Sequence, residues 1–376
     1  MRILILDTYY PSFLSSCYLQ HPGLAELPYA EQWRMLQDQC FGTADFYSTN
    51  LKLLGHEATE IVANSEPLQR QWATEHNASI ESEPRWTTSR RKGFMPWLRR
   101  ASKNDWFHGV LFAQIKHHRP DVLYVQDMNE VSSEFLREAK QYAKIIVGQI
   151  ACPIKPGMDF KEYDLILSSF PHFVERFKRE GLTSEYFRLG FEPAVLDRLR
   201  DGNRYGVVFV GSLSASHTAR IDFLERVASL VDVDTWGPGG ETLKPNSPLR
   251  ARHHGEAWAL DMYQVLHQAD IVLNHHIDLA EACANNMRLY EATGVGSMLV
   301  TDSKTNLHHI FDPGREVVAY STADEGAELI GYYLDHAEER KTIANAGQRR
   351  TLREHSYFQR MQQLSGILEN SLGASG

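Results

Sequence analysis

The sequence predicts an α/β protein made of two doubly wound parallel sheets that face each other across a cleft. Three observations predict it. Short β-branched runs alternate with amphipathic helical stretches along most of the chain. The alternation pauses at residues 190–204, a charged segment holding Gly190, Pro193 and Gly202, and starts afresh at Tyr205. A length of 376 residues is more than a single core of ordinary size accommodates.

The first unit, residues 1–190, opens on an apolar strand at 2–7 that ends in Asp7. The following loop, 8–16, has no glycine and so is no Gly-rich phosphate cradle. A helix is predicted over 30–54, closed by Gly55, and a strand over 56–62. Residues 64–103 read as irregular and rich in Trp and Arg, an insertion or an acceptor-side element. A helix at 105–118 leads to a strong strand signal at 120–127, ending in Asp127. Helix 130–142, strands 144–150 and 164–168, helix 170–181 and strand 185–189 complete the unit.

The second unit, residues 205–350, begins with strand 205–210 and the turn Gly211-Ser212-Leu213-Ser214. Helix 217–230 and strand 231–236 follow, the latter ending in Trp236. After a loop at 241–256 come helix 257–268, strand 270–274, a short helix opening at Asn285-Asn286, and strand 297–301. Strand 316–320 and helix 322–336 precede a charged, largely helical tail at 337–371.

Bulk numbers narrow the function. Hydrophobic content of 43% and charged content of 23% suit a globular protein with a large core. A formal charge of −9 argues against general nucleic-acid binding. The local basic exception is Arg85, Arg90, Arg91, Lys92, Arg99, Arg100 and Lys103. Four scattered cysteines with no CxxC pair fit reduced thiols and a cytoplasmic setting, with Cys152 and Cys283 read as small buried hydrophobes. No run approaches the roughly 18 apolar residues of a membrane span, so an integral membrane protein is not expected. Four adjacent histidine pairs occur (His117-His118, His253-His254, His275-His276 and His308-His309). None has the spacing of a metal motif, and no metal is expected.

Ligands of open α/β sheets bind outside the carboxyl ends of the strands. The stretch Asn285-Asn286-Met287-Arg288-Leu289-Tyr290-Glu291-Ala292-Thr293-Gly294-Val295-Gly296 sits at such an end. Asn286 reads as its N-cap, and Gly294 and Gly296 as its stop. A helix start with Arg288 in its first turn is an anion site, and Glu291 one turn on is placed to accept from ribose hydroxyls. The plainer reading is a helix acid complementing the dipole beside a solvated arginine. Trp236 and the Tyr9-Tyr10 pair offer stacking surfaces, or simply core.

The pattern resembles the GT-B glycosyltransferases, and within them the spore-maturation-protein-like (CgeB-type) group. The residues that carry it are Val208-Phe209-Val210-Gly211-Ser212, Ala269-Asp270-Ile271-Val272-Leu273-Asn274, Asn286 to Gly294, Thr301-Asp302, Asn306-Leu307, Phe311 to Val318 and Ala344 to Arg350. The resemblance implies two Rossmann-like domains, the first for an acceptor and the second for a nucleotide-sugar donor. It implies a C-terminal helix, 351–376, that packs back on the first domain. Glu291 would hold the donor ribose, and the helix start at Asn285, Asn286, Met287 and Arg288 would face the diphosphate, with Leu289 also in the donor site. Gly211, Ser212, Ser214 and Arg220 would close the phosphate side, with His254 and Gly255 beside the base. The retaining members carry an acid eight residues before the Glu291 position. Here that residue is Cys283, and Glu281 lies two residues too early.

The reaction implied is metal-independent transfer of a sugar from a nucleotide-diphosphate donor to a glycan, protein or small-molecule acceptor. Arg288 and Arg220 would stabilise the leaving diphosphate. For inversion a base is required, with Asp127 first and Asp7 second. Asp127 reads equally well as the cap of helix 130–142. The rivals are a sugar-nucleotide epimerase on the same scaffold and a non-catalytic nucleotide- or carbohydrate-binding protein.

Overall fold

The computed structural model describes residues 1–78, 86–89, 97–100, 105–214 and 218–374, with the side chains of 86–89, 97–100 and 105 left aside. The first unit runs β1 (Arg2–Asp7), α1 (Pro11–Gln20), α2 (Tyr29–Gln37), α3 (Phe46–Leu53), β2 (Glu57–Val62) and α4 (Glu66–Glu75). It continues with β3 (Trp86–Ser89), β4 (Trp97–Arg100), α5 (Asp105–His118), β5 (Val122–Val125), α6 (Ser133–Ala139), β6 (Ile145–Gln149), β7 (Leu165–Ser168), α7 (Pro171–Arg179) and β8 (Ser184–Tyr186). Its main sheet has the order β2-β1-β5-β6-β7-β8 and is parallel throughout. The antiparallel pair β3–β4 stands apart.

The second unit runs β9 (Tyr205–Val210), α8 (Thr218–Ala228), β10 (Asp234–Trp236), α9 (Ala259–His267), β11 (Ala269–Asn274), α10 (Arg288–Gly294) and β12 (Met298–Asp302). It ends with β13 (Val318–Tyr320), α11 (Ala323–Asp335), α12 (Ala337–Glu354) and α13 (Tyr357–Ala374). Its sheet is again parallel, in the order β10-β9-β11-β12-β13.

Alternation along the strands sorts the core into layers. In the first sheet Leu4, Leu6, Leu123 and Ile146 face α5, α6 and α7, while Ile3, Ile5, Tyr124 and Val147 face α3 and α13. In the second, Val207, Phe209, Ile271 and Val300 face α8, α11 and α12. Val208, Val272 and Leu299 face α9 and α10 and share one continuous core with the inner face of the first sheet. Both faces of each sheet are covered, which is why the strands read as unbroken apolar runs.

The C-terminal helix α13 returns to the first sheet. Tyr357 lies 5.4 Å from Phe46 and 5.5 Å from Tyr47 on α3, and Ser365 meets His56 at 2.7 Å. The chain crosses from the first domain to the second at Phe191 and returns at Ser356, and the two crossings are bonded to each other. Phe191 N–H donates to His355 O at 2.9 Å, and Tyr357 N–H to Phe191 O at 2.9 Å.

Several expectations are corrected. The helix expected over 30–54 is two helices. Between them Cys40, Gly42 and Ala44 take φ of 57°, 60° and 41°, left-handed values that stop helical bonding. Residues 66–75, expected irregular, form α4, and residues 11–20 form α1, each started by a proline in its first turn. Cys152 is exposed and Cys283 half-buried; the buried thiols are Cys17 and Cys40. Of the basic cluster, Arg85, Arg90, Arg91, Lys92 and Lys103 lie outside the described residues, as do 79–85, 90–96 and 101–103 of the acceptor-side element expected over 64–103.

Candidate active site

A cavity of about 470 Å³ opens between the carboxyl ends of the two sheets. From the first domain it is lined by Asp7 and Thr8 beyond β1, Phe41 to Thr43 in the break between α2 and α3, Gln126 beyond β5 and Gln149 on β6. From the second it is lined by Gly211 beyond β9, Arg220 on α8, Trp258 and Ala259 at the start of α9, and His275 beyond β11. Asn286, Met287, Arg288 and Glu291 complete it.

Arg288 and Glu291 sit one turn apart on α10, so their side chains meet. Arg288 Nη1 donates to Glu291 Oε2 at 2.8 Å, and Nη2 donates to Val210 O at 3.1 Å. Burial pushes the Glu291 carboxyl up, and the guanidinium pulls it back. The pair is therefore a charged unit at the cavity wall and not a solvated surface arginine.

Asn286 is not the cap. Helix α10 starts at Arg288, and the preceding Met287 already has helical backbone and makes no side-chain cap bond. Asn286 Nδ2 instead donates to Asn274 Oδ1 at 2.8 Å, and its Oδ1 is buried with no partner. The stop is Gly296 alone, with φ 89°. Gly294 lies inside the helix for a different reason: a Cβ there would come within 2.4 Å of Phe191 Cγ. Asn285 and Leu289 do not line the cavity. Asn285 Nδ2 reaches Ser169 Oγ of the first domain at 3.4 Å, and Leu289 is core.

Behind this loop lies a network that sequence reasoning missed. His276 Nδ1 donates to Asp302 Oδ1 at 2.6 Å, and Nε2 accepts from the backbone N–H of Asn285 at 3.3 Å. Accepting at Nε2 fixes the proton on Nδ1. Burial works against the Asp302 charge. The hydrogen bond from His276 and the Lys304 ammonium at 3.3 Å nevertheless hold its carboxyl well below the usual range. Asn274 joins through Thr301, whose Oγ1 accepts at 2.9 Å. The available signal was polar: Asn274-His275-His276 and Thr301-Asp302 end two apolar strands that pair in register.

On the phosphate side, Gly211 and Arg220 line the cavity, while Ser212 and Ser214 are occupied in their own turn. Ser212 Oγ meets Ser214 Oγ at 3.1 Å and accepts from Ser214 N–H at 3.3 Å. Arg220 Nη1 donates to Ser212 O at 3.4 Å, and its buried Nε has no partner. Burial lowers the pKa of this guanidinium, and Asp302 and Asp278 pull it back up.

Trp236, His254 and Gly255 are absent from the cavity wall. Trp236 is buried with its ring stacked on His254 at 4.4 Å, and His254 Nε2 binds Asp234 Oδ1 at 2.8 Å. The tryptophan at the cavity is Trp258. It is aimed by Ala259, whose left-handed φ of 56° is a strained conformation for a residue with a Cβ. Tyr9 is core, its hydroxyl donating to Gln37 at 2.9 Å, and Tyr10 faces the cavity.

The two candidate bases are placed differently. Asp127 does not line the cavity. It caps the single turn Met128–Glu130, accepting from Asn129 N–H at 3.2 Å, and takes the Thr8 hydroxyl at 2.5 Å. Helix α6 is capped by Ser132 instead. Asp7 lines the cavity, and burial pushes its carboxyl up to about 7; the Thr8 N–H opposes the rise and the Asp127 charge adds to it.

Residues 220–366 match the family model described as glycosyl transferase-like. The chain has the GT-B fold, and its second half carries a glycosyl transferase-like region. Solved structures share the whole fold at low identity. Sucrose-phosphate synthase from Thermosynechococcus elongatus aligns at TM-score 0.57 and 9% identity over 100% of both chains. HepE from Anabaena, in complex with UDP and glucose, aligns at 0.59 and 13% over 98% of this chain and 100% of that one. AviGT4, a glycosyltransferase of avilamycin A biosynthesis, aligns at 0.57 and 14% over 100% and 98%. No curated protein matches the chain.

The departure from the retaining pattern carries into the structure. Cys283 and Glu281 do not reach the cavity; Glu281 is exposed and lies 3.9 Å from His172. Among the described residues lining the cavity, the carboxylates are Asp7 and Glu291.

Proposed function

We propose that the protein moves a glycosyl group, with inversion, from a nucleoside-diphosphate sugar of the UDP type to a hydroxyl of an acceptor held against the first sheet. The observation that carries this reading is the composition of the cavity. It has a carboxyl that titrates near neutrality on the first-domain wall and two guanidiniums, Arg220 and Arg288, on the second. Asp7 takes the acceptor proton as the acceptor oxygen bonds to the anomeric carbon. The bond from that carbon to the diphosphate breaks, and the diphosphate leaves with the electron pair. A base with a pKa near the working pH combines adequate ionisation with adequate basicity. Arg220, Arg288 and the backbone at Gly211 stabilise the charge on the leaving group, and in this reading no metal is required. Glu291, held by Arg288, accepts from the ribose hydroxyls. HepE structures hold UDP and UDP-glucose, which supports the choice of nucleotide.

The test is a thermal-shift series with UDP, GDP, dTDP, CMP and ADP, followed by product analysis with the sugar conjugate of the nucleotide that binds. A ligand at a hundred times its Kd raises stability by about 2.7 kcal/mol. A shift with UDP and an inverted anomeric product support the proposal; no shift with any nucleotide defeats it.

A further inference from the structure

The first-domain half of the cavity has a wall and a rim of different chemistry. The wall is aromatic. Tyr10 and Phe41 come from the first domain and Trp258 from the second, with ring centroids 5.4 to 6.0 Å apart. Tyr10 is 58% exposed, unusual for a tyrosine held among other rings. The rim is polar and carries donors. Gln126 Oε1 accepts from Thr43 Oγ1 at 3.1 Å, which fixes the amide, and its Nε2 is buried with no partner. Gln149 Oε1 accepts from Tyr124 at 2.6 Å and Tyr47 at 3.2 Å, so the amide N–H groups are what that side chain has left to offer. Asp7 lies on the same rim.

An orphaned buried donor is costly unless a ligand completes it. A wholly apolar acceptor would cover the rings but leave Gln126 Nε2 unpaired. A peptide hydroxyl would use the rim but leave the ring wall wet. A pyranose ring does both, because its C–H face is apolar and its hydroxyls project from the edge. We infer that the acceptor is itself a sugar. One pyranose lies with its C–H face on Tyr10, Phe41 and Trp258 and its hydroxyls on Gln126 and Gln149, which turns one hydroxyl toward Asp7. This inference rests on the transferase reading of the cavity given above. The exposed Tyr10 marks where the remainder of a longer glycan leaves the protein.

Saturation-transfer NMR on the full chain, with and without saturating UDP, tests it. The probes are methyl pyranosides of the gluco, galacto, manno and N-acetylglucosamine series, with phenol and cyclohexanol as ring-sized controls. At least one pyranoside is expected to receive saturation on its ring C–H protons. Its affinity is expected to fall about tenfold in Gln126→Leu and in Trp258→Ala while UDP binding persists. Gln126→Leu removes only the amide, so it reports on the rim even where Trp258→Ala disturbs the fold. Binding of phenol or cyclohexanol in place of every pyranoside overturns the inference, as does pyranoside binding unchanged in both variants. UDP bound with no pyranoside bound overturns the acceptor assignment and leaves the donor reading standing. Failure of UDP to bind overturns both.

Discussion

Arg288 donates to Glu291 across 2.8 Å, and both side chains are largely withdrawn from water while still bordering the cavity. A pair of this kind behaves asymmetrically toward mutation. Removing one partner strands the other charge in a poor solvent, whereas keeping a hydrogen-bonding isostere does not. Glu291→Ala is expected to lower stability by about 3 kcal/mol. Glu291→Gln is expected to fold well and bind UDP more weakly. Chemical denaturation of both variants, with a UDP titration of the second, checks this. A Glu291→Ala protein as stable as the parent would mean that Arg288 finds another partner.

Arg220 has the opposite signature. Its Nε is buried without a protein partner, so the fold carries the cost of an incompletely hydrogen-bonded guanidinium. Arg220→Met is expected to keep or raise the melting temperature without ligand and to lose most of the shift that UDP produces. Differential scanning fluorimetry with and without UDP reads both at once. Equal UDP shifts in parent and variant would remove Arg220 from the donor site.

In the proposed mechanism Asp7 makes activity and stability depend on pH in opposite senses. Its folded pKa is about 7 against an unfolded value near 3.8. Between those values the folded chain binds more protons than the unfolded one, so this group's contribution to stability falls as pH rises through the window. Activity needs the ionised form and rises over the upper part of the same window. Asp7→Asn is expected to abolish transfer and to stabilise the protein above pH 7, by on the order of 4 kcal/mol at full ionisation, with no gain below pH 4. A kcat/KM profile for the parent and melting curves for both proteins at pH 4, 6 and 8 check it. A parent profile flat from pH 5 to 8 would exclude Asp7 as the base.

The His276–Asp302 pair acts through the loop it holds. Asp302→Asn keeps the shape but weakens the acceptor that sets the imidazole tautomer. The Asn285 N–H then loses a reliable partner, and the loop before Arg288 loosens. The expected result is about a tenfold loss in UDP affinity with the fold retained, measured by calorimetry. Unchanged affinity would show that the loop is held by Asn274, which bonds Asn286, and by Asn306, which bonds the backbone of Ala284.

Gly294→Ala is expected to destabilise by about 1–3 kcal/mol through overpacking on Phe191, with no change in nucleotide contacts. Urea denaturation checks it; a loss below about 0.5 kcal/mol would mean that Phe191 moves freely aside.

Much of this architecture was legible in the residues, and the limits have physical causes. Both sheets show as apolar runs because both faces are covered, and the place of Arg288 and Glu291 at the cavity is legible because strand, loop and helix follow one another locally. Tertiary position was harder to read. Phe41, Gly42 and Thr43 sit in a stretch with helical periodicity, and the left-handed backbone of Cys40, Gly42 and Ala44 breaks it. Gly42 tolerates that conformation, but nothing in the side chains of Cys40 and Ala44 announces it. Asp302 meets His276 because β11 and β12 pair in one register, which a linear reading does not contain. Asp127 and Asp7 both end strong strands. What separates them is which carboxylate faces the void and which is spent on Thr8 and Asn129. Trp236 and Trp258 differ in the same way: one stacks on its neighbour and the other borders the cavity.

The two places where the chain passes between the domains lie side by side and are bonded through Phe191 and Ser356. Two separated tethers would pin the domains; two coincident ones form a pivot. Any relative swing of the domains turns about that line, and displacement grows with distance from it. The Tyr10 and Trp258 rings, which belong to opposite domains, would then part and meet as the jaws do. The surface offered to an incoming acceptor would be assembled on closure.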